Sequence, residues 1–138
     1  MIIGYTTGVF DLFHVGHLTL LKNAKSMCDR LIVGVTVDEL VSYKGKNALI
    51  PFDERIEIIR SVKYVDAAIP QYEIDKLEAF KKLKFDILFV GDDWFNDPGW
   101  SAMEKELSYN RVKVIYLPYY QGQSSTRINK ILDGNRNK

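Results

Sequence analysis

Apolar residues along this chain alternate between short unbroken runs and longer stretches where they recur every three or four positions. Ile2-Ile3-Gly4-Tyr5 opens a β-prone run over residues 2–7, which predicts a first strand. Leu18, Leu20, Leu21, Ala24 and Met27 then share one side of a helix over about 16–28. Leu31-Ile32-Val33-Gly34-Val35-Thr36-Val37 is apolar without alternation, the pattern of a strand buried on both faces. Asp38 can cap a short helix through about Val41 or Ser42, and Tyr43 to Ile50 reads as a polar, lysine-bearing loop. Pro51-Phe52-Asp53-Glu54-Arg55 starts the next helix, with Ile56, Ile58, Ile59 and Val62 on its apolar side.

The second half repeats the scheme. Tyr64 to Ile69 predicts a short strand ending at Pro70, followed by a helix over about 73–83. Phe85-Asp86-Ile87-Leu88-Phe89-Val90 is a further strand, and a helix over about 99–109 leads to a last strand, Val112 to Leu117. Ser124-Ser125-Thr126 caps a final helix to about Leu132, and residues 133–138 are expected to fray. Strands interleaved with helices imply an α/β fold: a Rossmann-like, doubly wound, five-stranded parallel sheet with helices on both faces. Residues 1–132 read as one domain, since no linker, repeat or low-complexity tract interrupts them. Such sheets bind ligands beyond the carboxyl ends of their strands. Three polar loops fall there: 8–17, 91–94 and 119–127.

Composition narrows the class of partner. The net charge of +1 over 138 residues gives no general attraction for a polyanion, so nucleic acid is not an expected partner. No stretch reaches the length of a membrane span, and the chain starts in its first strand with no basic leader. The single cysteine, Cys28, has no internal disulfide partner, which fits a reducing compartment, so a cytoplasmic location is expected.

The chemistry centres on Thr6-Thr7-Gly8-Val9-Phe10-Asp11-Leu12-Phe13-His14-Val15-Gly16-His17. It contains both histidines of the chain, spaced i, i+3 at a predicted helix start. Unpaired N–H groups and the positive end of the helix dipole suit a phosphate there. Imidazole can donate a hydrogen bond or carry charge near neutral pH. Asp11, His14 and His17 also recur every third residue, but no fourth ligand is evident for a structural zinc. Gly16 would let a phosphate approach the backbone. Lys44 and Lys46 are flexible cations in a loop, and either could reach a charged substrate. Arg55 offers a planar fork for phosphate or an ion pair on its own helix. Gly91-Asp92-Asp93-Trp94 is either a helix cap or a polar strand-end site, and Ser124, Ser125 and Thr126 combine a cap with possible phosphate contacts.

Three of these segments, in this order, resemble the cytidylyltransferases of the H-x-G-H nucleotidyltransferase superfamily, glycerol-3-phosphate cytidylyltransferases above all. They are Gly8 to His17, Gly91 to Trp94, and Gly122-Gln123-Ser124-Ser125-Thr126, so the resemblance covers nearly the whole chain. It implies CMP transfer from CTP to a small phosphorylated alcohol, with glycerol 3-phosphate leading, Mg²⁺ held largely by nucleotide phosphates, and a homodimer. The products would be CDP-glycerol and pyrophosphate, in teichoic acid or capsule synthesis. It also implies nucleotide contacts for Thr7, Gly8, Val9, Phe10, Asp11, His14, Gly16, His17, Gly91, Asp92, Asp93, Trp94, Gly122, Ser124, Ser125 and Thr126. Catalysis falls to His14, His17, Lys44, Lys46, Ser125 and Thr126, and acceptor binding to Lys44, Lys46, Arg55, Lys63, Tyr119 and Arg127. The terminal loop departs from the family's R-T-E-G-[IV]-S-T-[TS]: Tyr119 stands for the arginine, Gln121 for the acid and Gln123 for the aliphatic residue, with Arg127 nearby. Another phosphorylated alcohol or sugar, an adenylyltransferase, and a non-catalytic nucleotide-binding module stay open as alternatives.

Overall fold

The five apolar runs form five parallel strands in one sheet. The computed structural model describes residues 1–43, 45, 47–91 and 98–118. The elements are β1 (Ile3–Gly8), α1 (Val15–Lys25), β2 (Arg30–Thr36), α2 (Asp38–Tyr43), α3 (Phe52–Arg60), β3 (Ala67–Gln71), α4 (Lys76–Leu83), β4 (Ile87–Gly91), α5 (Pro98–Tyr109) and β5 (Lys113–Leu117). The strand order is β3-β2-β1-β4-β5. The chain winds outward from β1 to β3, then crosses back so that β4 pairs with β1. That reversal makes β1 and β4 the topological switch, and a crevice opens where their carboxyl ends diverge. The expected final helix at 124–132 and the tail at 133–138 lie outside the described residues.

Each face of the sheet has its own core. Leu31, Val33 and Val35 of β2 and Phe89 of β4 pack against Leu21 and Ala24 of α1 and Ile56 and Ile59 of α3. Tyr5, Ile32 and Leu88 on the other face meet Phe80 and Leu83 of α4 and Trp100 and Leu107 of α5. The alternation along β2 thus feeds two cores, which is why Leu31 to Val35 shows no polar position. Among the described residues, no helix is long and apolar enough to cross a membrane.

The first helix and the third strand are among the elements whose bounds differ from the sequence expectation. The first helix stops at Lys25, with Ser26 as its C-cap, instead of running to 28. The third strand is Ala67–Gln71 and passes through Pro70 instead of ending before it. Gln71 accepts a hydrogen bond from Val37 N–H, so its backbone faces β2. By the alternation of a parallel ladder Pro70 faces outward, and β3 is an edge strand, where a residue without an N–H breaks no ladder bond. Residues 62–65 form a turn closed by Val65 N–H on the Val62 carbonyl, so Tyr64 precedes the strand.

Gly4 sits where β1 is most crowded: a Cβ there would lie 2.6 Å from the Phe89 ring and 2.8 Å from Cys28 Sγ. Gly4→Ala should therefore lower stability by about 1–3 kcal/mol, as overpacking does, measurable by urea denaturation. An unchanged midpoint would show that Phe89 and Cys28 can yield.

Candidate active site

Between β1 and α1 the chain takes an unfavourable path. Phe10 (φ 55°) and Leu12 (φ 52°) both adopt left-handed backbone, although neither is glycine. Such conformations cost about 1–3 kcal/mol each and persist only where surrounding contacts impose them. The contacts are visible. Phe10 is buried with its ring edge-on to His17, centroids 5.5 Å apart, and the space beside Gly8 that a Cβ would fill is taken by the Phe10 ring at 2.9 Å. Asp11 is also buried, and its two carboxylate oxygens accept the N–H groups of Leu49 (2.9 Å) and Ile50 (3.0 Å).

The histidines then start α1 as a reciprocal cap. His14 is the N-cap, and its Nδ1 accepts the Gly16 N–H at 2.9 Å. His17, three residues on, returns the arrangement by accepting the His14 N–H at 3.2 Å through its own Nδ1. Two imidazoles thus replace the usual hydroxyl and carboxylate of a capping box. An Nδ1 that accepts carries no proton, so each neutral ring holds its proton on Nε2. The rings lie 4.0 Å apart, and Phe13 stacks on His17 at 5.4 Å. His14 Nε2 is buried and has no hydrogen-bond partner among the described residues. A buried donor without an acceptor marks the place for an anionic oxygen.

Electrostatics agree with neutral rings. Burial lowers the pKa of His14 below its ordinary value. Burial, followed by repulsion from His14 and against the pull of Asp11, takes His17 down to about 4. Of the two states open from sequence, neutral ring or cation, the backbone bonds to both Nδ1 atoms favour the neutral ring.

Arg55 corrects an expectation. It is fully buried, and four of its five N–H groups are engaged by the protein. Nε donates to the Ile50 carbonyl, Nη1 to those of Val9 and Thr36, each at 2.8 Å, and Nη2 to Asp38 at 2.6 Å. The fork expected for acceptor phosphate instead pins the ends of β1 and β2 to the loop after residue 47. Asp38 completes the knot by accepting the Phe52 N–H. That bond, followed by Arg55, keeps its carboxyl below the usual range. Lys63 is a second correction. It follows α3 and leads into the amino end of β3, opposite the crevice, with Nζ exposed 5.2 Å above the Tyr64 ring.

Of the other expected residues, Thr7, Gly8, Val9, Phe10, Asp11, Gly16 and Gly91 gather at the ends of β1 and β4 with the histidine pair. Lys44, Lys46, Asp92, Asp93, Trp94, Tyr119, Gly122, Ser124, Ser125, Thr126 and Arg127 lie outside the described residues. Lys76, absent from the sequence expectation, donates to Thr7 Oγ1 at 2.7 Å. Its one sequence signal is a cation at the first position of a helix, where the dipole disfavours it. Among the described residues, no group of three His, Cys, Asp or Glu is placed to hold a metal, and both oxygens of Asp11 face backbone N–H groups. The described residues therefore do not form a protein cage for Mg²⁺.

Two outcomes follow from this geometry. The unfolded chain takes up the His17 proton near pH 6.5, while the folded chain resists it to about 4. Stability is thus full above pH 6.5 and declines toward pH 4, by at most roughly 3 kcal/mol. Urea midpoints between pH 8 and 5 should show the fall, and His17→Asn, whose amide oxygen can still cap, should flatten it. Arg55→Ala leaves three carbonyls and Asp38 without their donor, and should cost about 3–5 kcal/mol in the same assay. A loss under about 1 kcal/mol would mean that water replaces the guanidinium.

The cytidylyltransferase-like family model matches residues 5–131. The chain is 40% identical over 128 residues to the FAD synthase of Pyrococcus abyssi, covering 91% of this chain and 86% of that one. It is 37% identical over 126 residues to the glycerol-3-phosphate cytidylyltransferase of Bacillus spizizenii, covering 91% and 92%, and 32% identical over 130 residues to that of Bacillus subtilis, covering 94% and 95%. Its fold superposes on the crystal structure of a lipopolysaccharide core biosynthesis protein from Thermoplasma volcanium with a TM-score of 0.73, at 28% identity over 89% of this chain and 99% of the other. A histidine pair capping the helix at the switch of a five-stranded parallel sheet thus stands within a match that spans both ends of that sheet, and the chain is a nucleotidyltransferase of the cytidylyltransferase-like family.

Proposed function

We propose that this enzyme transfers CMP from CTP to glycerol 3-phosphate, giving CDP-glycerol and pyrophosphate. The observation that carries the reaction class is the pair of neutral imidazoles whose Nδ1 atoms are fixed by the backbone. His14 Nε2–H, buried and without a partner among the described residues, is then a donor for oxygens on the α-phosphorus, where negative charge builds as the bond to pyrophosphate breaks. An oxygen of the acceptor's phosphate forms the new bond to the α-phosphorus. The bridging oxygen leaves with its electron pair on pyrophosphate, in line with the attack. The acceptor is already anionic, so the protein supplies no nucleophile or general base. Mg²⁺ arrives as part of the nucleotide substrate, on its phosphates. The relatives named glycerol-3-phosphate cytidylyltransferase, matched over nine tenths of both chains, support this acceptor.

A second reading, adenylyl transfer from ATP to FMN, is favoured by the 40% identity to an FAD synthase. FMN and glycerol 3-phosphate are both phosphate monoesters on a polyol chain, so the same step serves either. Pyrophosphate release with CTP or ATP, crossed with glycerol 3-phosphate or FMN in the presence of Mg²⁺, separates them. We expect turnover with CTP and glycerol 3-phosphate. Turnover confined to ATP and FMN overturns that choice, and no release with any pair also overturns it, in favour of another phosphorylated alcohol or sugar as acceptor or of a nucleotide-binding module. His17→Ala should lower kcat about 10²–10³-fold, as loss of one charge-stabilising donor does.

A further inference from the structure

Tyr5 stands in the middle of β1, 3% exposed, with its ring stacked on Phe85 at 5.0 Å between centroids. A phenylalanine would serve the core there equally well, and a buried tyrosine hydroxyl normally finds a hydrogen-bond partner. Among the described residues Oη has none, and burial alone pushes the hydroxyl up to about 12, so it stays a neutral donor. It is not sealed into the core as His14 Nε2 is, but opens on a cavity of about 90 Å³ between the sheet and α4. We propose that this cavity receives the hydroxyl-bearing carbon end of the acceptor, with Tyr5 Oη bonded to one of its hydroxyls, and so selects a short polyol phosphate over a flavin. This inference rests on the proposed nucleotidyl transfer and assigns the alcohol side of its acceptor.

Position, size and lining carry the assignment. A Cβ on Gly34 would lie 2.5 Å from Tyr5 Oη and 3.1 Å from the Thr7 methyl, so the bare backbone of β2 is what leaves room for the hydroxyl. Thr7 is the penultimate residue of β1, and the exposed Tyr72, Glu73 and Asp75 that edge the cavity follow β3, at the same carboxyl end of the sheet as the histidine cap. From Tyr5 to Thr7 the strand rises about 7 Å, close to the length of glycerol 3-phosphate. A phosphate at the end of β1 therefore leaves its alcohol end level with Tyr5. An engineered cavity of about 150 Å³ takes benzene, so this one takes about four non-hydrogen atoms, the two carbons and two hydroxyl oxygens at the far end of glycerol 3-phosphate. The three fused rings of FMN do not enter. Ile69, Ala79 and Leu83 give the carbons an apolar wall, while Glu73 and Asp75 outnumber Lys82 in charge at the edge, which suits hydroxyl donors and turns a phosphate away from this end.

Initial rates of pyrophosphate release with CTP and Mg²⁺ test the assignment. Tyr5→Phe keeps the ring and its stack, and should raise the KM for glycerol 3-phosphate about 3–10-fold, as loss of one neutral hydrogen bond does, with the CTP KM within about twofold. Propyl phosphate keeps the phosphate and the three carbons but has no hydroxyl, so wild type and Tyr5→Phe should bind it equally, as substrate or as competitive inhibitor. A packing role for the hydroxyl would penalise both acceptors alike. Ala79→Leu, which fills the cavity from α4, should raise the glycerol 3-phosphate KM tenfold or more. An unchanged KM in both variants, an equal penalty with both acceptors, or a rise in the CTP KM alone overturns the proposal. If no pyrophosphate appears, calorimetric titration of glycerol 3-phosphate into the protein holding the α,β-methylene analogue of CTP decides. Binding that Ala79→Leu abolishes would then overturn the transfer reaction and leave the polyol site standing, whereas binding that is absent, or equal in the variant, overturns the polyol site. Turnover confined to ATP and FMN overturns both.

Discussion

A single buried guanidinium holds the catalytic end of this sheet in shape. Arg55 joins the carbonyls of Val9, Thr36 and Ile50 to the carboxylate of Asp38, so one side chain ties the ends of β1 and β2 to the loop before α3. Asp11 grips the same loop from the other side through the Leu49 and Ile50 amides. Between them the two charges fix how the chain leaves β1, and the left-handed turns at Phe10 and Leu12 are tolerated because that exit is fixed. Buried ions of this sort add little net stability when fully paired, but they specify geometry. Here the geometry is the approach to the histidine cap.

The cap itself joins structure to chemistry. Each imidazole uses Nδ1 to satisfy a helix-start amide, which leaves Nε2 as the donor and removes the choice of tautomer. A hydroxyl cap would have satisfied the helix equally well but offered nothing comparable to an anion. The cost is that neither ring can be protonated at Nδ1 without losing a bond at the helix start, which is consistent with the depressed pKa of His17.

Much of this is legible in the sequence, for reasons that differ by element. β2 can be read because both of its faces are buried, so that the side chains from Leu31 to Val35 all show the apolar signal. The His14–His17 pair can be read because spacing alone puts both residues on one turn. The extent of β3 escapes such reading because a proline ends a central strand but not an edge strand, and strand order is not a local property. The role of Arg55 escapes it for the same kind of reason. An arginine in a first helical turn next to Asp53 and Glu54 looks solvated, and its acceptors at Val9 and Thr36 come from other strands. Lys76 is hidden among Lys81, Lys82 and Lys84, since its link to Thr7 exists only once the sheet has formed.

Pro70 has a further effect at the margin of the molecule. An outer strand normally offers a row of unpaired amides and carbonyls to which any stray extended segment can add. In β3, five residues long, the outward positions fall on Ala68 and Pro70, and the second has no amide hydrogen to give. The rim of the sheet is left with too few donors to template another strand. Contacts between copies of this chain at β3 are thereby steered toward side chains and away from backbone zippering, which guards this edge of the sheet against runaway growth.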